Sequence, residues 1–412
     1  MEGLEIARKR AVWRDRRAIA LLMAATLTTM ANATISPALP GLERLFAEDP
    51  NAALLTRLLV PAPSLAVALC APLAGVAMDR FGRRRLLLAG VVLFVIAGSG
   101  GLFLPDLPTI FVSRLVLGLA VGLIMTAQTA LIGDYFSGAN RSAMTALQIS
   151  ARNFGGLLFI ALAGWVALVS PRMPFAIYGL AVLFLPVMWK VIVDTARPSL
   201  SPGADVAEGV EGAPGWRLLF AGLVLLQALT NMFFFIVPTQ LPFFFDAHGR
   251  DSALMTGAAL GAVMLAGGCC ALLYPRVRQA IGYVGVFVLG YAAMALGFGL
   301  LIVWPATPLS FVAVASIGAG YAIVSPTFVA LTLDLAPARR RGLAGGILTA
   351  SVFIGQFCSP LLSTPMISAF GYEGLFRGTA VLLATMALAA AALRGLWGGP
   401  RSAGRAAGSV GS

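Results

Sequence analysis

Ala71-Pro-Leu-Ala-Gly-Val-Ala-Met-Asp-Arg-Phe-Gly-Arg-Arg-Arg85 breaks a long apolar tract with one acid, two glycines and four arginines. Apolar residues run into it from position 54 and resume at Leu86. Gly82 suits a tight reversal, because glycine takes left-handed backbone without steric cost. The stretch reads as a short basic turn between two hydrophobic helices. Arginines beside membrane spans mark the cytoplasmic side, so this turn orients every other apolar segment of the chain.

Of the 412 residues, 59% are hydrophobic and 11% charged. A soluble domain carries roughly twice that share of charge. The net charge of +12 is not a nucleic-acid footprint, because the basic residues sit in short loops between apolar runs, where they set topology. Cys70, Cys269, Cys270 and Cys358 all lie inside apolar runs and read as small core residues. His248 lies in a polar loop and reads as solvated. There is no P-loop, no metal-ligand cluster and no histidine beside a nucleophile, so no cofactor, metal or enzymatic activity is expected.

About 20 apolar residues span a bilayer. Twelve such windows follow one another: 18–39, 54–77, 86–104, 107–133, 143–169, 173–194, 217–243, 252–274, 283–304, 307–333, 343–368 and 373–395, numbered as spans 1 to 12. The first follows a basic stretch, and Ala31-Asn-Ala33 loosely imitates a signal-peptide cleavage site. The apolar run continues past that point and many spans follow, so it reads as a span. An N-terminus in the cytoplasm puts the basic clusters at 8–17, 80–85, 190–197, 276–278 and 339–341 on one side. Both termini are then cytoplasmic.

Residues 195–216 are rich in Pro, Gly and Ser and read as a cytoplasmic linker. The expected organisation is a basic N-terminus at 1–17, a six-helix bundle at 18–194, the linker, a second bundle at 217–395 and a disordered tail at 396–412. The halves repeat. The 200-residue shift that carries Asp134 onto Asp334 also carries Phe111-Val112 onto Phe311-Val312, Gly118 onto Gly318, Arg141 onto Arg341 and Gly155 onto Gly355. Charged residues falling in register argue against a chance match of apolar sequence.

The pattern Gly75-x-x-x-Asp79-Arg80-x-Gly82-Arg83-Arg84 resembles the loop 2–3 signature of the major facilitator superfamily. Arg114-Leu-Val-Leu-Gly118 resembles the span 4 signature Arg-x-x-Gln-Gly of its drug:proton antiporter group, with Leu117 in place of the glutamine. Span 5 has glycines but lacks the Gly-Pro pair of that group's other signature. The resemblance implies an all-α fold of twelve transmembrane helices in two pseudo-symmetric six-helix bundles. It also implies a multi-pass protein of a bacterial inner (plasma) membrane, acting as a monomer on a small-molecule substrate with protons as coupling ion. Parallel six-span repeats place the site near mid-membrane between the halves. Asp79 would latch the cytoplasmic face against the start of span 11 when the protein opens outward, with Gly75, Arg80, Gly82 and Arg83 completing the latch.

Polar residues concentrate in the spans that the resemblance assigns to the cavity and seam. Asn32, Arg114, Arg152, Asn153, Asn231, Gln240 and Gln356 are the candidate substrate-binding residues. Arg114 has two readings: a proton-transfer assistant, as proposed for the antiporter group, or a structural cation bonded to carbonyls of span 1. Arg152 lies about 14 Å into span 5 at 1.5 Å per residue, too deep to reach the interface easily. No Asp or Glu lies in the interior of any window. Its partner is then a carbonyl, an amide such as Asn32 or Asn153, or an anionic ligand. Both arginines are expected to point into the central cavity, where they favour an anion or an acceptor-rich neutral molecule.

Three functions follow. The first is a secondary transporter exporting a small organic compound on the proton gradient. The second is a transporter or exchanger of a small organic anion held by Arg114 and Arg152. The third is a transporter-like sensor or assembly factor without transport.

Overall fold

The computed structural model describes residues 15–194, 216–303, 308–337 and 340–397. The expected N-terminal segment, linker and tail fall almost entirely outside these. Every regular element among the described residues is helical. In a bilayer each peptide group must find its partner within the chain, and a helix satisfies them all locally.

Span 1 runs as Arg16–Ala33, a 3-10 turn Ser36–Ala38 and a last segment Leu39–Leu45. Span 2 is Ala52–Leu58 followed by Ala62–Phe81, bent by 53° at the break. Spans 3, 4 and 5 are Arg83–Ser99, Leu107–Tyr135 and Gly138–Val166. Span 6 is Pro174–Gly179, Leu180–Phe184 and Leu185–Val191 in succession. Span 7 is Trp216–Ala247 and span 10 is Leu309–Leu335. Spans 8 and 9 form Ser252–Val303, broken at Gly282, and spans 11 and 12 form Arg341–Trp397, broken at Gly371. The chain thus folds into twelve transmembrane helices.

Local chemistry explains the ends and breaks. Asp15 and Asp106 cap spans 1 and 4, accepting from the Arg17 and Thr109 backbone N–H groups at 2.8 Å each. Pro37 and Pro40 cannot donate to the preceding turn, and span 1 switches to the 3-10 form there. It continues to Leu45, past the expected end at 39, because apolarity alone does not register a helical end carrying Glu43 and Arg44. Gly82 and Gly282 take φ of 88° and 69° at equivalent turns, values that strain any other residue.

Large apolar side chains face outward. Phe103, Leu158, Trp165 and Leu218 are 84, 65, 66 and 81% exposed. Such a surface is normal against lipid and anomalous in water.

Small residues hold the spans together, and the two halves use the same contacts. A methyl added at Gly118 would strike the Pro63 carbonyl, and one at Gly318 the Val263 carbonyl. Gly90 meets Ile124 across spans 3 and 4, and Gly290 meets Val324 across spans 9 and 10. Each pair is its counterpart moved by 200 residues. Gly155 packs on Thr26 of span 1, and Gly355 on Ala228 of span 7. The two bundles are therefore pseudo-symmetric, as close helix approach through small residues requires at matched positions.

The bundles meet on one side only among the described contacts. The terminal face is the one where spans 1 and 7 begin; the far face is opposite. Spans 1 and 7 join near the far face through Ser36 and the Pro238 carbonyl, and through Arg44 and Asp246 at 2.8 Å. Spans 5 and 8 touch from Gly164 against Gly257 down to Asn153 beside Gly268. At the terminal face, Gly342, Gly345 and Gly346 of span 11 have open space around them. The molecule is closed on the far face, with a cleft between the bundles open to the terminal face.

Candidate functional site

Arg152 is the midpoint of the 29-residue span 5, and its side chain is exposed. It does not face lipid. Residues three and four apart share a helix face, and Gly155 and Gly156 meet Thr26 and Thr29 of span 1 and Met264 of span 8. The lipid side of span 5 carries Phe154 and Leu158 instead. Arg152 therefore projects between the bundles, next to the level of Asn153 and Gly268 where spans 5 and 8 last touch.

Across the cleft stands Tyr321, next to the midpoint of span 10 and within electrostatic reach of Arg152. The Tyr321 hydroxyl donates to Asn231 Oδ1 at 2.8 Å, and its ring stacks on Phe234 at 3.9 Å between centroids. Asn231 is fully buried halfway along span 7, and its amide donates to the Gln227 carbonyl at 2.9 Å. A cation on one bundle thus faces a rigidly held phenol on the other, both near mid-membrane. Among the described residues, no carboxylate pairs with Arg152. Asn153 lies beside Gly268 at the seam, and Asn32 is half-buried at the level of the same cleft.

Arg114 goes elsewhere. It is fully buried inside the first bundle. Nε donates to the Leu59 carbonyl at 3.1 Å, a terminal nitrogen donates to the Ala31 carbonyl, and the guanidinium lies over the Tyr178 ring at 5.1 Å. The breaks in spans 1 and 2 leave backbone carbonyls free, and Arg114 takes two of them. This geometry corresponds to the structural reading of Arg114 and separates it from Arg152.

Gln240 and Gln356 belong to the far-face closure. Ser64 donates to Gln356 Oε1 at 2.6 Å, joining spans 2 and 11. Gln240 accepts from Arg57 Nε at 3.2 Å and donates to Ser363 at 2.8 Å. Arg57 also pairs with Glu43 at 2.8 Å and lies over the Phe243 ring at 3.8 Å. A polar chain thus runs from span 1 to span 11 across the bundle boundary. Arg57 is not among the residues to which the sequence points. Its signal was a charge four residues into an apolar window, opposite in sign to a nearby Glu43.

At the terminal face, Arg83 pairs with Asp134 at the end of span 4. Arg84 donates to the Trp189 carbonyl at 2.7 Å, and its backbone N–H donates to Asp194 at 2.8 Å. These contacts tie the basic turn to its own bundle. Arg80 is exposed above the Phe81 ring. The surroundings of Gly75 and Asp79 fall outside the described residues.

Two pseudo-symmetric bundles enclosing a cleft open to one face define a carrier of the alternating-access type. The Major Facilitator Superfamily model matches residues 21–282 and 252–410, and the chain belongs to this family of membrane transporters. It is 20% identical over 338 residues to the quinolone resistance protein NorA of Staphylococcus aureus strain MSSA476, covering 79% of this chain and 84% of that one. The inward-open structure of the xylose transporter XylE from E. coli matches with a TM-score of 0.71 at 19% identity, covering 90% of this chain and 94% of that one. The human organic anion transporter MFSD10 (TETRAN) matches with a TM-score of 0.67 at 19% identity, covering 91% and 99%. The fold and family are those of transporters rather than enzymes. The protein is a multi-pass integral membrane protein.

Proposed function

We propose that this chain is a secondary active transporter for small organic molecules that present an anionic or strongly accepting group to Arg152. The observation that carries this reading is the exposed, unpaired Arg152 at mid-membrane, facing Tyr321 across the cleft. A cation in low dielectric repels cationic substrates and attracts anionic ones. Asn32, Asn153 and Asn231 add polar groups around the same level. Arg114 supports the site from behind by fixing spans 1, 2 and 4. Gln240 and Gln356 line the path when the far face opens.

Positive charge concentrates at the terminal face, which supports cytoplasmic termini in a bacterial inner membrane. Arg44 and Arg57 lie toward the far face, but each is paired with an acid. With that orientation the structure is inward-facing, and the linker 195–216 joins bundles 18–194 and 217–395 on the cytoplasmic side. Asp79, with Arg80 and the two glycines, would latch that side in the opposite state.

A second reading is efflux of drug-like compounds driven by protons, favoured by the similarity to NorA. It needs a titratable group in the transport path, and among the described residues Glu43, Asp134, Asp246 and Asp334 are held by Arg57, Arg83, Arg44 and Tyr283.

Thermal-shift binding of matched anions and cations to the purified protein tests the proposal. Wild type is expected to be stabilised by the anions, Arg152→Ala to lose that response, and Arg152→Lys to weaken it, since lysine lacks the planar two-pronged donor. Stabilisation by cations, or an undiminished anion response in Arg152→Ala, would return Arg152 to a structural role and leave the efflux reading.

A further inference from the structure

We propose that the transporter works as an obligatory exchanger, in which the empty carrier cannot reorient and each anion moved one way is matched by an anion moved back. This rests on the anion reading of Arg152. It follows from the electrostatics of closing the cleft.

In the open state Arg152 is exposed within the cleft, where water has access to its guanidinium. To open on the far face, the terminal ends of spans 5, 8, 10 and 11 must first come together. The cleft then seals around the midpoint of span 5. A guanidinium stripped of water without a counter-charge is strongly disfavoured.

Among the described residues there is no internal counter-charge at that depth. No Asp or Glu of the sequence lies in the interior of an apolar window. The acids at the span ends are engaged elsewhere: Glu43 by Arg57, Asp134 by Arg83, Asp246 by Arg44, and Asp334 by the Tyr283 hydroxyl. Asp79 is in the last turn of span 2, at the far end of the helix from the cleft floor. Tyr321 does not neutralise Arg152 either, because it is an uncharged phenol that keeps its proton and donates it in a hydrogen bond to Asn231.

A bound anion changes the balance. Its charge cancels that of Arg152, and the closed cavity holds a neutral pair with hydrogen bonds to both members. The loaded carrier passes through the occluded state, while the empty one meets a barrier. Ligand-dependent passage of this kind needs only a difference in affinity between states.

The test uses the full-length protein in proteoliposomes. The probes are labelled malate, inorganic phosphate and benzenesulfonate, each offered outside vesicles containing either the same unlabelled anion or buffer. Exchange is expected to exceed uptake into buffer-filled vesicles by about tenfold or more, the ratio that a modest difference between loaded and empty barriers produces. An imposed pH gradient is expected to change neither rate. Uptake into buffer-filled vesicles as fast as exchange overturns the proposal and leaves anion binding standing. Binding of none of the three probes in the thermal-shift assay overturns the anion reading itself, and this proposal with it.

A second measurement does not depend on flux. Spin labels at Leu45 and Phe370, exposed residues at the far-face ends of spans 1 and 11 on different bundles, report the far-face separation. The labels are placed in a background with the four cysteines replaced by alanine. Without anion, wild type is expected to show the short distance only, and a bound probe anion to add a longer one. Arg152→Gln is expected to show both distances without any anion. A long distance in anion-free wild type, or its absence from anion-free Arg152→Gln, overturns the proposal.

Discussion

The Tyr283 hydroxyl donates to Asp334 at 2.9 Å in the place where, 200 residues earlier, Arg83 pairs with Asp134. Each contact ties the turn after an even-numbered span to the end of a span two further on. The geometry repeats although the chemistry has changed from an ion pair to a phenol.

The two acids are expected to differ in weight. Asp134 and Arg83 are only 11 and 30% exposed at their side chains, and charge-assisted bonds of that kind contribute about 1.5–3 kcal/mol. Asp334 bonds a neutral donor at an exposed position. Asp134→Asn is expected to lower the melting temperature in detergent clearly more than Asp334→Asn. A double-mutant cycle of Arg83→Gln with Asp134→Asn checks that the pair itself carries the difference. Equal losses from the two single variants would remove the distinction.

Arg114 is expected to behave as a structural residue. Arg114→Ala takes the side-chain donor from the Leu59 carbonyl and leaves the Ala31 carbonyl only the Tyr178 hydroxyl at 3.3 Å, and an unsatisfied buried group of this kind costs about 1–3 kcal/mol. Melting of the purified variant is expected to drop, or the variant to fail in expression. Arg114→Lys keeps a charge and is expected to recover part of the stability. Anion affinity per folded molecule is expected to be unchanged in Arg114→Lys, and a selective loss of affinity there would place Arg114 in the substrate path.

Arg57 is expected to control the far-face closure. It is 9% exposed and links Glu43 to Gln240 of the other bundle. Removing one member of a buried charged pair costs about 3–5 kcal/mol. Here part of that falls on the closed state alone, because only the closed state joins Arg57 to Gln240. Arg57→Gln is expected to raise the reactivity of a cysteine placed at Ser64 toward a membrane-impermeant thiol reagent added from the far side. Arg44→Gln is expected to do so much less, because its pair with Asp246 is 66% exposed on the arginine side and such surface pairs contribute little. Unchanged reactivity in Arg57→Gln would mean that packing of spans 5 and 8 alone holds the face shut.

The sequence by itself determined the twelve spans, their repeat and the family. These rest on local quantities: runs of apolar length matched to a bilayer, arginines in short turns, and glycines and acids recurring at one shift. It also fixed the depth of Arg152 and the lack of an acid to meet it, since both follow from position along a helix. Only the tertiary structure separated Arg114 from Arg152. Both are isolated arginines inside apolar spans, and helical position cannot say which faces a broken neighbour with free carbonyls and which faces water. The same holds for Gln240, Gln356 and Arg57, whose partners in the other bundle lie more than 180 residues away and come together only where the two bundles touch. Which face is closed is decided by contacts between bundles that the two halves of the sequence encode separately, and a symmetric pair of halves carries no local mark of it.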